Sequence, residues 1–105
     1  MFSGGDYEEV ARWLRNFVVA HAKRENLRVE AVVDADGSRE GRSYGVRLRL
    51  GEGLWPAPPE PPVELGFPEV AEQRGSLAWC SGLAERVRIL ARELSAAGPG
   101  PLRSA

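Results

Sequence analysis

Two residues in this chain invite nucleophilic chemistry: Cys80 is its one cysteine and His21 its one histidine. A thiol beside an imidazole loses its proton readily and attacks electrophilic carbon. Cys80 also falls in the first turn of an expected helix, where amide dipoles lower a thiol pKa. The same position lies between Trp79 and Ser81 on an apolar stripe, and free cysteine is among the residue types most often buried for packing alone. His21 follows Phe17 by one helical turn, the place of a hydrogen-bonded histidine at the core edge. No catalytic residue is therefore assigned. A pocket near His21 and Cys80 stands as the alternative reading, that of a small enzyme or ligand-binding protein.

Other constellations fall short of a site. There is no Cys/His cluster for a structural metal, and Asp34 and Asp36 do not have the spacing of a calcium loop, so no metal and no cofactor are expected. Gly51-Glu52-Gly53 is followed by Leu54-Trp55-Pro56 and lacks both the spacing and the helix of a phosphate loop. Gly4-Gly5 precedes a helix start, but Asp6, Glu8 and Glu9 already occupy that field.

The most individual stretch lies between Gly51 and Arg74. It holds Pro56, Pro58, Pro59, Pro61, Pro62 and Pro68, five glutamates and no base. Prolines at this density remove backbone donors and fix φ, so Gly51 to Pro62 is expected to be a loop of polyproline II character. Such a loop either straps the core, with Trp55 packed inward, or is displayed as a ligand for an aromatic groove, with Trp55 as its anchor. Outside residues 51 to 73 the chain carries 14 bases against 10 acids, while the whole has a net charge of −1. That surplus is too small to draw in a polyanion, and nucleic acid is disfavoured as a partner.

The elements that must position these residues follow from hydrophobic period and caps. Asp6 as N-cap with Glu9 in the capping-box position, then Val10, Trp13, Leu14, Phe17, Val18 and His21 on one face, predict a helix over 7–25 ending at Asn26 in a left-handed cap. From Leu27 the period becomes two, with Leu27, Val29, Ala31 and Val33 inward. Asp36-Gly37 and its polar neighbours form the turn, and Tyr44, Val46, Leu48 and Leu50 return as a second strand. Val63, Leu65 and Phe67 suggest a third, edge strand, and Pro68 opens a helical turn through Gln73. Ser76 caps a helix over 77–97 with Trp79, Leu83, Val87, Leu90 and Leu94 on its apolar stripe, supported by Leu77, Cys80 and Ala91. Gly98 and the prolines after it end that helix and leave a flexible C-terminal tail, 98–105.

The fold expected is α+β: a two-layer sandwich with two helices packed on one face of a small antiparallel sheet, in the order α-β-β-(β)-α, as one domain over residues 1–97. Double-stranded-RNA-binding domains share that order. They need a Lys-rich cluster before the final helix, where this chain reads Arg74-Gly75-Ser76-Leu77-Ala78-Trp79, so the topology does not carry RNA binding over. The other sheet face is expected to be open, with Arg28 and Glu30 lying across from Arg49 and Arg47.

The function expected is a small non-enzymatic cytoplasmic interaction or regulatory domain. It would bind a protein partner, or itself as a homodimer, through the open face and sheet edges. Arg28, Arg47, Arg49 and Trp55 are the contact candidates. No run is long and apolar enough to span a membrane, and the N-terminal residues lack a signal-like pattern.

Overall fold

A computed structural model of the chain describes residues 4–97. Its elements run α1 (Gly4–Ala22), β1 (Glu30–Asp34), β2 (Ser43–Leu50), β3 (Gly53–Trp55), β4 (Val63–Gly66), α2 (Phe67–Gln73) and α3 (Leu77–Ala97). The four strands form one antiparallel sheet, with both long helices packed on one face. The cap expected at Gly98 and the tail 98–105 lie outside the described residues.

α1 begins two residues before Asp6, so Asp6 sits inside the first turn rather than at the N-cap, still where the helix dipole favours an acid. The helix stops at Ala22, earlier than the pattern suggested. The Arg24 and Glu25 amides bond back only three residues, to His21 and Ala22, which tightens and ends the spiral. Among the described residues no non-glycine has a positive φ, so Asn26 does not take the left-handed cap. Instead its side-chain oxygen accepts the Arg28 amide at 2.9 Å, and its Nδ2 donates to Ser95 Oγ at 3.1 Å. This turn consumes the residues expected to begin β1. Leu27, placed by alternation on the buried face, is 78% exposed.

β2 is the centre of the sheet. On one side it pairs with β1, Glu30 facing Arg49 and Val32 facing Arg47. Gly51, at φ +61°, then occupies the first position of a two-residue turn of the II′ pattern, which closes β2 onto β3 between Leu50 and Gly53. Here the expectation of an unpaired loop through Pro62 fails: Gly53, Leu54 and Trp55, which precede the first proline, still have amides to give and join the ladder. Farther along, the same side of β2 pairs with β4. Leu48 faces Trp55 and Val46 faces Val63, so two steps along β2 correspond to eight along its partner. The third strand is thus one strand with a six-residue excursion inserted. Because six is even, Trp55 and Val63 remain on the same face despite it.

That face is the core. Tyr44, Val46, Leu48 and Leu50 of β2 are buried beneath Val10, Leu14 and Val18 of α1 and Leu83, Val87, Ala91 and Leu94 of α3. Burying each of these larger side chains contributes about 1.5–3 kcal/mol. An aromatic cluster joins three elements at one end: the Tyr7 and Tyr44 rings stack at 4.8 Å, and Phe67 meets them edge-on at 5.4 and 6.3 Å. The Tyr44 hydroxyl donates to the Tyr7 carbonyl at 2.9 Å, which satisfies a fully buried phenol.

α2 gives the helical turn expected around Pro68. Ser76 caps α3 as expected, its Oγ accepting the Trp79 amide at 3.2 Å. Leu77, counted in the apolar stripe, instead lies 86% exposed beside the cap. Trp13 neighbours Trp79, and Glu25 receives Arg88 and Arg92, so α1 and α3 run parallel.

Candidate interaction surface

The sheet's second face carries no helix among the described residues. Its residues alternate with the core set: Glu30, Val32 and Asp34 on β1, Gly45, Arg47 and Arg49 on β2, Leu54 on β3 and Glu64 on β4. Three acids and three bases, counting Arg39 from the β1–β2 loop, share this face.

Arg39 is the residue that organises it. After Gly37, at φ +66°, a single 3-10 turn over Gly37–Arg39 folds the loop back over the sheet. The guanidinium of Arg39 lies flat on Gly45, where an added Cβ would come within 2.8 Å of its Nε and Cζ. From there Nε and Nη2 grip both oxygens of Glu64 at 2.9 and 3.0 Å, while Nη1 reaches Asp34 Oδ2 at 2.9 Å. One side chain thus ties β1 to β4 across β2. Ser43 Oγ donates a further bond to Glu64 at 3.0 Å. The hydrogen bonds from Arg39 hold the Glu64 carboxyl below the ordinary carboxylate range and push the Arg39 guanidinium up. Sequence reasoning missed this clamp. Its signal was Gly45, a glycine inside an otherwise strong strand, which marks a close approach by another group.

The contact candidates separate. Arg47 and Arg49 do lie on the open face, but both have internal partners: Arg49 pairs with Glu30, and half-buried Arg47 donates to the Pro56 carbonyl at the root of the excursion. The bond from Arg49 lowers the Glu30 pKa. Arg28 is not on this face, because β1 starts two residues later and pairs Glu30, not Arg28, with Arg49. Trp55 is on the opposite face, packed against the core, its indole donating to Glu93 of α3 at 3.0 Å. Between these groups lies a depression of about 430 Å³ lined by Val32, Leu54, Pro62, Gly45, Arg39 and Arg47, apolar at its floor and charged at its rim.

The proline excursion has anchored roots and an exposed tip. Pro56 and Pro62 are half-buried; Pro58, Pro59, Glu60 and Pro61 face solvent, with the Glu60 amide closing a turn onto Ala57 O at 2.9 Å.

His21 and Cys80 are not brought together. His21 packs on Phe17 at 4.4 Å, and burial followed by the charges of Arg24 and Arg88 lowers its pKa. The Cys80 thiol donates to the Arg74 carbonyl at 3.4 Å. Since α1 and α3 are parallel and His21 faces the Arg88 level, eight residues of α3 separate them, about 12 Å of helix rise. Neither residue lines the depression above, nor a 530 Å³ cleft between the start of α1 and the β1–β2 loop.

Among the described residues no group of three or more potential metal ligands occurs, and no helix is long and apolar enough to cross a membrane. Compared with known protein families, with curated proteins and with solved structures, the chain matches none.

Proposed function

We propose that this chain is a small interaction domain that associates with a second copy of itself through the open sheet face, with the unpaired edge of β1 beside it. One observation carries the reading: the sheet is covered on one side only, and the uncovered side has an apolar floor of Val32, Leu54 and Pro62 inside a charged rim. Acids and bases are equal in number on that face, which suits an isologous contact, where each patch meets its own copy, and not a polyanion. The paired arginines act as a rigid rim that fixes the depression, not as free hooks. A reducing, cytoplasmic setting fits the lone Cys80.

The test is the mass in solution by light scattering, for the wild type and for Leu54→Asp. Leu54 points away from the core, so the variant should keep its thermal transition while a wild-type mass of two chains falls to one. A wild type that stays monomeric at high concentration refutes the reading. Charge reversal at Arg47 is a poorer test, because it also severs the bond to Pro56.

A further inference from the structure

The opposite edge of the sheet holds a second, different surface. β4 pairs with β2 and with no other strand among the described residues. The Phe67 amide donates to Arg42 O at 2.8 Å, one step past the β4 ladder. In an antiparallel pair every second residue bonds the neighbour, so Leu65 and Val63 bond β2, and the main-chain groups of Glu64 and Gly66 turn outward. The Gly66 carbonyl is taken up by the first turn of α2, for which Gly66 is the N-cap. That leaves the Glu64 N–H and C=O and the Gly66 N–H aimed into open space, with no further main-chain partner among the described residues.

Alongside this edge runs a groove of about 260 Å³ lined by Leu65 of β4, Glu69 of α2 and Ala78, Trp79, Gly82, Leu83 and Arg86 of α3. Ala78 and Gly82 are one helical turn apart and keep the helix wall low; a Cβ on Gly82 would meet nothing within 4 Å. Trp79 forms one wall, its indole held by Glu69 at 3.0 Å. An incoming strand that exchanged both bonds with Glu64 would place the next residue opposite Leu65, with its side chain on the core face and directed into this groove.

We propose that the β4 edge and the α3 groove bind an extended peptide segment of a partner protein, by strand addition, with an aliphatic side chain opposite Leu65 and a basic residue beside it. Strand addition draws affinity from main-chain bonds and selectivity from alternate side-chain pockets. The basic flank follows from charge: residues 51 to 73, which contain this edge, hold five glutamates and no base, and Glu69 stands on the groove wall. Pro61, Pro62 and Pro68 bracket the strand and limit pairing to a short segment, which guards the edge against open-ended aggregation. The site is separate from the open face and does not depend on self-association.

The experiment pans a random heptapeptide display library against the full chain, then titrates the synthetic consensus peptide by fluorescence anisotropy. An enriched aliphatic residue flanked by Lys or Arg is expected. Gly66→Pro deletes only the outward donor, since Gly66 already sits at φ −74° with room for the ring. Gly82→Leu fills the groove from an exposed helix position. With thermal transitions retained, each should weaken peptide binding by about tenfold or more, while Leu54→Asp leaves it unchanged. No enriched sequence, or a peptide bound equally by both variants, overturns the proposal. So does a wild-type dimer that Gly66→Pro splits, because the occupant would then be a second copy.

Discussion

The hydroxyl of Tyr7 sits among the carbonyls of Ser43, Arg39 and Ala35 at 2.6, 3.0 and 3.1 Å, and takes the Gly41 amide as acceptor. A phenol has one proton to give, so the short contact to Ser43 marks its main acceptor and the other two complete an electronegative socket. Burial raises the Tyr7 pKa, with the carboxylates of Asp36, Glu40 and Asp34 adding to the effect. This socket holds the β1–β2 loop in the position from which Arg39 reaches over the sheet. Tyr7→Phe leaves the ring stack and removes the socket's centre; it should cost about 1–3 kcal/mol in chemical denaturation and speed amide exchange over residues 36–42. A second prediction concerns the clamp. Gly45→Ala must lift Arg39 off the strand, so it should destabilise the wild type yet add almost nothing in an Arg39→Ala background. Equal costs in both backgrounds would show that the two residues are not coupled.

At the scale of elements, the interrupted third strand decides what the proline-rich stretch does. The six-residue excursion leaves the alternation of faces intact, so its removal should let β3 run directly into β4. Deleting residues 57–62 together with Pro56→Thr sets the substituted position opposite Arg47, gives it an amide for the ladder and restores one register from Gly53 to Gly66. The shortened protein is expected to fold with stability within about 1 kcal/mol of the parent, because the roots, not the exposed tip, make the contacts. Loss of a cooperative transition would instead identify the tip as a structural strap. α3 shows a different division of labour: one flank meets α1 through Glu25 and Asn26, the other meets Trp55 through Glu93, and the low wall at Ala78 and Gly82 is left uncovered.

For the molecule as a whole, pH sensitivity follows from which groups the fold perturbs. His21 is held below its ordinary value of 6.5 by burial and by Arg24 and Arg88, so the unfolded chain takes up its proton first. Its contribution is therefore complete above pH 6.5 and is lost as pH falls toward the folded pKa. Glu25, Glu30 and Glu64 are held below 4.5 by hydrogen bonds from Arg88 and Arg92, from Arg49 and from Arg39; theirs is complete above that value and lost as pH falls below it. Thermal midpoints recorded against pH should decline in two stages on acidification, and His21→Gln should remove the first while leaving the second. A single stage in the wild type would show that His21 does not contribute.

Much of the architecture was legible in the residues themselves. The 3.6 period of Val10, Leu14 and Val18, the period of two from Tyr44 to Leu50, the cap at Ser76 and the proline before α2 are local signals, because they arise from backbone geometry and short-range hydrogen bonding. The two-residue turn at Gly51-Glu52 was equally local, yet it was hidden by the prolines that follow. What tertiary structure alone decided was partnership. A small change in where β1 begins sets which acid meets Arg49, and the alternation of bonded pairs along β2 sets which amides face outward from β4. Arg39, far from Glu64 in sequence, finds it only because a glycine lies between. Alternation tells which residues share a face; register and loop path, set by packing over the whole chain, tell which of them touch and which remain open to a partner.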